Sequence, residues 1–169
     1  VFLISMLGSI YGLDYWKQSE HPTNGNKLRF FYGMLTASMV LLVLARNSLL
    51  FLFGWEIMAL SAFFLVTTED HDQEVVATGW LYLAATHVAT LSLFALFALL
   101  HRLSGSFALV PVDAAALTKG TALAIFLLAL LAFGLKAGVM PLHVWLPSAH
   151  ALAPSHVSAI MSGVIIKMG

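Results

Sequence analysis

Apolar runs long enough to cross a bilayer alternate along this chain with short polar clusters. A spanning helix needs about 20 mostly apolar residues at about 1.5 Å rise, and four stretches fit that pattern. Val1 to Leu13 reads as the end of a preceding helix, and the polar stretch DYWKQSEHPTNGNKLR (14–29) follows, with turn signals at Pro22 and Asn24-Gly25. Phe30 to Leu44 makes the first span, which Leu28 and Arg29 extend. Arg46-Asn47 forms a very short turn, and Ser48 to Thr68 makes the second span, ended by EDHDQE. Val75 to Leu100 is the third, closed by HRLSGS, and after a loop with Pro111 and Asp113 the fourth runs from Lys119 to Met140. Pro141, Pro147 and Pro154 then divide the chain, and His156 to Gly169 reads as the opening turns of a further helix. The pattern predicts an all-α fold, a polytopic transmembrane helix bundle with one discontinuous, proline-broken helix. Residues 30–169 make up one unit after the preceding helix end (1–13) and the loop (14–29). A connection as short as Arg46-Asn47 requires antiparallel neighbours.

Composition agrees with a membrane solvent: 60% of residues are hydrophobic and 9% charged, and the mean hydropathy is +0.93. A soluble domain carries about 25% charged residues. Formal net charge is zero, so no attraction to nucleic acid is expected. The absence of cysteine removes disulfides, thiol catalysis and Cys-ligated clusters from this stretch. Nothing resembles a nucleotide loop or a flavin site, so no cofactor is expected here, and the expected partners are the lipid bilayer and other subunits. Alternating loops put Lys17, Lys27 and Arg29 on one side and Arg46, Arg102 and Lys119 on the other, which leaves the orientation open. The chain starts without Met and stops inside an apolar run, as a piece of a longer protein would.

Ionisable residues inside the spans change the picture most, because each costs about 2.5–3.5 kcal/mol on insertion scales and seeks a partner or water. Glu56 in FGWEIMALS lies eight residues into its span, roughly 12 Å deep; an interfacial carboxylate is the competing reading. Lys136 lies near the end of its span, where a snorkelling stem competes with function. Lys167 falls 11 residues after His156, a spacing that puts both on one face of a continuous helix with Gly163 between them. A charge at the far membrane surface is the alternative for Lys167, and a helix-start cap beside Ser155 is the alternative for His156. His87, flanked by Thr86 and Thr90, reads equally as a packing histidine or as a polar pathway residue. Pro141 removes a backbone donor, so the Lys136 helix is expected to end or kink nearby and free carbonyls at membrane depth. Such backbone is tolerated only against protein or water. PLHVWLPSAHALAP is then a short half-helix with His143 beside the break. A lysine next to a broken helix marks an ion-binding or ion-passing site.

The order of GWEIMALSAFFLV and GLKAGVMPLHVWLPSAHALAPSHVSAIMSGVIIKMG resembles the proton-translocating antiporter-like subunits of respiratory NADH:quinone oxidoreductase. The PLHVWLPSAHALAPSHVSAIMSG run is most similar to the large membrane subunit of formate-hydrogenlyase-type hydrogenases, and it is close to subunits of multisubunit sodium/proton antiporters. The resemblance covers residues 30–169. It implies a fold with two inverted repeats, each with a discontinuous helix, of which this chain matches the first. It further implies that Glu56 is the essential carboxylate and Lys136 the essential lysine of the broken helix. His143 stands in the Pro-Leu-His-x-Trp-Leu motif, Lys167 where members carry Lys or His, and His87 where members carry another polar residue.

The mechanism then expected is a proton switch. Burial favours a neutral lysine and a nearby carboxylate favours a charged one, so changing the Glu56–Lys136 relation changes whether the lysine holds its proton. His143 and His156 would carry protons from Lys136 toward Lys167. Energy would come from a hydrophilic redox module in a bacterial or archaeal plasma membrane complex. The chain's own membership of an enzyme is left open. A sodium/proton antiporter subunit is the near alternative and a structural scaffold the further one. A metal-dependent enzyme using His143, His150 and His156 is disfavoured, because separations of seven and six residues do not match HExxH. EDHD reads as a solvated turn.

Overall fold

The computed structural model describes residues 1–17, 24–113 and 117–169; the turn signal at Pro22 lies outside these. Among the described residues seven helices follow in order: α1 (Phe2–Tyr15), α2 (Gly25–Leu44), α3 (Ser48–Val66), α4 (Gln73–Ser104), α5 (Lys119–Ala137), α6 (Leu146–Leu152) and α7 (Ser155–Gly163). A 3-10 turn, Ile165–Met168, ends the chain. No strand forms among the described residues beyond an isolated bridge between Asn47 and Ala108. The helices α2 to α5 are long and apolar enough to cross a membrane. The chain is an integral membrane protein of the all-α, polytopic class.

Helix α2 begins at Gly25, ahead of the apolar run. Polar residues of its first turn are used at the surface: Asn24 donates to the Thr68 carbonyl at 2.9 Å, and Lys27 donates to the Thr67 carbonyl at 3.3 Å and pairs with Asp70 at 3.0 Å. At the opposite end, Asn47 caps α3 by accepting from the Leu50 amide at 2.7 Å, so the three-residue connection Ala45-Arg46-Asn47 reverses the chain. The segment after α4 closes against this turn, with the Ser48 amide donating to the Phe107 carbonyl at 2.8 Å and the Leu109 amide to the Arg46 carbonyl at 3.0 Å. Thus α2, α3 and α4 run antiparallel in sequence, α4 also packs on α5, and α1 packs on α7.

A stripe of small and hydroxylated residues on α4 lets its neighbours approach: Thr78, Gly79, Thr86, Ala89 and Thr90 are buried. A side chain at Gly79 would overlap Thr67. Two of these hydroxyls are satisfied within the helix, Thr86 donating to the Tyr82 carbonyl and Thr90 to the Thr86 carbonyl, both at 3.0 Å. Large apolar side chains such as Phe53, Leu91, Phe94 and Phe126 point outward, as a lipid solvent permits.

The break falls three residues earlier than the prolines indicate. Gly138, at φ +68°, ends α5, and the Gly134 carbonyl accepts from both the Gly138 and the Val139 amides. Pro141 lies in the turn that follows. Pro147 falls in the first turn of α6, where a missing N–H costs nothing, and Pro154 separates α6 from α7. The last helix is also interrupted: α7 stops at Gly163, Val164 has φ −131°, and Lys167 lies in the 3-10 turn. The expectation that His156 and Lys167 share one face required a continuous helix and does not hold here.

Candidate functional site

Lys136 occupies the last turn of α5 and is 0% exposed. Its Nζ donates to the Tyr82 hydroxyl of α4 at 3.3 Å and lies over two aromatic faces, 5.4 Å from the Trp55 centroid and 5.6 Å from that of Tyr82. Tyr82 is nine residues past the start of α4, about 13 Å along its axis, so the ammonium group is well inside the bundle. A snorkelling lysine would reach the surface; this one turns inward. A desolvated cation over an aromatic face gains about 2 kcal/mol.

Glu56 follows Trp55 on α3 and is half-buried. Its Oε1 is enclosed and has no hydrogen-bond partner among the described residues. No Glu56–Lys136 ion pair within 4.0 Å occurs among the described residues.

The helix break is closed by a tryptophan. Trp145 is fully buried, its indole N–H donates to the Leu135 carbonyl at 2.8 Å, and its ring meets the edge of Tyr82 at 5.1 Å. Leu135 lies in the last turn of α5, where carbonyls lack intrahelical donors. One carbonyl freed at membrane depth is therefore satisfied by protein, as the hydrocarbon solvent demands.

The other sequence-predicted residues are distributed around this cluster. His143 lies in the turn after the break, half-buried, with Nδ1 enclosed and unpartnered. His150 on α6 pairs through Nδ1 with the Ser158 hydroxyl of α7 at 2.8 Å, bridging Pro154. His156 is 4% exposed, with an unpartnered Nδ1 and its ring 5.7 Å from Tyr32 and 6.1 Å from Tyr15. It borders a cavity of about 820 Å³ between α1 and α2. His87 is exposed on α4, its Nδ1 2.9 Å from the Leu83 carbonyl, and Lys167 is exposed. The structure thus brings Trp55, Glu56, Tyr82, Lys136 and Trp145 together, and leaves His87 and Lys167 on its surface. In the EDHD turn, Asp70 pairs with Lys27 and Asp72 caps α4. Among the described residues no three His, Asp or Glu side chains converge as a metal site would require.

Tyr82 and Trp145 are the site residues that sequence reasoning missed. An aromatic within an apolar run reads as core; the one available signal for Trp145 was its place two residues after His143, in the segment that must close the break.

A family model described as the transmembrane part of NADH:quinone oxidoreductase and Mrp antiporter subunits matches residues 45–169. The chain belongs to this family. Hydrogenase-4 component B of Escherichia coli is 40% identical over 169 residues, covering all of this chain and 25% of that protein. Formate hydrogenlyase subunit 3 of the same species is 33% identical over 167 residues, 99% of this chain and 26% of that protein. NAD(P)H-quinone oxidoreductase chain 4 1 of a Synechococcus strain is 33% identical over 174 residues, covering all of this chain and 32% of that protein. The chain therefore spans about a quarter to a third of these family members. The matched region holds α3 to α7, and so every member of the Lys136 cluster.

Proposed function

We propose that this chain, with residues 30–169 as the translocating unit, belongs to a proton-translocating membrane subunit of a redox-driven complex of the hydrogenase, formate-hydrogenlyase or NADH:quinone oxidoreductase type. The observation that carries the proposal is a wholly buried lysine at a helix break, its ammonium group over the Trp55 ring and the half-buried, unpartnered Glu56 the next residue along α3. A buried charge costs several kcal/mol unless compensated, and a partner at a distance compensates only in part. Small changes in the Glu56–Lys136 separation therefore decide which of the two holds a proton. That is the property a proton switch requires.

Around this pair, His143 is the next carrier, with a free ring nitrogen beside the break, and His156 is a second buried imidazole. Lys167 and His87, both on the surface of the described chain, would connect to the rest of the subunit. Pro141, Pro147 and Pro154 keep the segment from closing into one helix. The partners are other membrane subunits and a hydrophilic redox module that supplies the energy, in a bacterial or archaeal plasma membrane. The test is Glu56→Gln in the intact complex, reconstituted in sealed vesicles. Substrate-driven proton uptake should fall at least about tenfold with assembly unchanged. Unchanged uptake would overturn the proposal, and an absolute requirement for sodium would assign the chain to sodium/proton exchange instead.

A further inference from the structure

We propose, resting on the relay function above, that the Tyr82 hydroxyl carries the proton between Lys136 and Glu56. Lys136 has one hydrogen-bond partner among the described residues, and it is this hydroxyl, at 3.3 Å. Glu56 presents an enclosed oxygen with no partner, one residue after the Trp55 ring that Lys136 Nζ faces at 5.4 Å. A phenolic hydroxyl both accepts and donates. Its oxygen receives the lysine N–H, which leaves its own O–H to be given elsewhere. Tyr82 is 0% exposed, so bulk water does not compete for that proton.

The ring is held in place for the task. Its edge rests on Trp145, whose indole is in turn tied to the Leu135 carbonyl one residue before Lys136. The carrier is thereby attached to the same helix end as the lysine it serves, so a movement of the break moves Lys136 and the Tyr82 contact together.

The transfer balances without a tyrosinate product. The Lys136 N–H bond breaks as a new Tyr82 O–H bond forms, while the original Tyr82 O–H bond breaks and its proton passes through a bridging water to the Glu56 carboxylate. Lysine and glutamate both end neutral and tyrosine is regenerated with a different hydrogen. Run backwards, the same exchange recharges the lysine. No electron moves.

Tyr82→Phe in the intact complex in sealed vesicles isolates the hydroxyl, because the ring, its edge contact with Trp145 and its face toward Lys136 remain. Assembly should be unchanged and proton uptake should fall about tenfold or more. The alkaline limb of the uptake profile should move, because the ammonium group has lost its acceptor; a packing role alone would not move it. Besides Tyr82, which bonds Lys136, and Glu56 on α3, the elements packed around Lys136 carry Glu74, His87, His101 and Arg102 on α4, His143 in the turn after the break, His150 on α6 and Lys167 on the 3-10 turn, so the profile is repeated with Lys119→Gln at the exposed start of α5, which should leave the shift in place. If Tyr82→Phe fails to assemble, 3,5-difluorotyrosine at this position nearly keeps the shape and makes the hydroxyl more acidic, and the limb should again move. Normal uptake and an unmoved limb in either variant, with Glu56→Gln inactive, would overturn the hydroxyl carrier and leave the relay standing. Normal uptake in Glu56→Gln as well would remove the relay itself.

Discussion

Replacing Trp145 with Phe should destabilise the subunit by more than replacing the equally buried Trp55, and the difference measures how the helix break is sealed. Both indoles are 0% exposed, and each substitution removes a similar slice of buried ring. The transfer and cavity cost of that slice is about 1–2 kcal/mol at either position. The polar consequences differ. Trp145 Nε1 donates to the Leu135 carbonyl at 2.8 Å, whereas Trp55 Nε1 has no partner among the described residues. Trp145→Phe leaves the buried Leu135 carbonyl without its donor, adding about 1–3 kcal/mol, while Trp55→Phe deletes an N–H that was already unsatisfied. The expected totals are about 2–5 kcal/mol for Trp145→Phe and at most about 2 kcal/mol for Trp55→Phe. Reversible unfolding of the full-length subunit by SDS in mixed micelles, comparing midpoint and slope, gives both values. Equal losses at the two positions would mean that the indole N–H does not seal the break.

Gly138→Ala should cost about 1–2 kcal/mol in the same assay, because the residue has φ +68° and an added methyl would lie 2.9 Å from Leu146; a neutral result would show that α5 ends elsewhere. The Lys27 ammonium, by hydrogen bond and then by charge, holds the Asp70 carboxyl below the usual carboxylate range. A depressed folded value means stabilisation present above the unfolded value of about 3.9 and lost as pH falls through the folded one. Asp70→Asn should therefore cost about 0.2–1 kcal/mol at neutral pH, less in high salt, and the gap to the unmodified protein should close below about pH 4. A gap independent of pH would assign the effect to the loop backbone.

Hydrophobic run length located the four spans because a bilayer rewards length and little else, and Ser48 and Lys119 start their helices where the apolar pattern begins. Boundaries moved where a polar residue had tertiary work. Asn24 and Lys27 tie the start of α2 to the end of α3, which a window of hydropathy reads as loop. The break was visible as three prolines, yet its first residue is Gly138, whose left-handed conformation ends the helix before Pro141 is reached. Lys136 and Glu56 were legible because charge in hydrocarbon is conspicuous. Tyr82 was not: its hydroxyl has a role only because α4 and α5 meet at that height, and an aromatic in an apolar run carries no sign of its neighbour. The spacing of His156 and Lys167 misled, since it assumed a helix that Gly163 and Val164 interrupt.

The central claim, that Lys136 moves protons, is tested most directly by Lys136→Met in the intact complex. Methionine keeps much of the apolar stem and removes the titratable head, so packing against Trp55 and Tyr82 should survive. Proton uptake driven by substrate turnover is followed in sealed vesicles, with Lys119→Met, at an exposed position in the first turn of α5, as the control. The account predicts normal assembly for both variants, normal uptake for Lys119→Met, and uptake lost for Lys136→Met. Normal uptake in Lys136→Met would contradict it and make the buried lysine a packing residue.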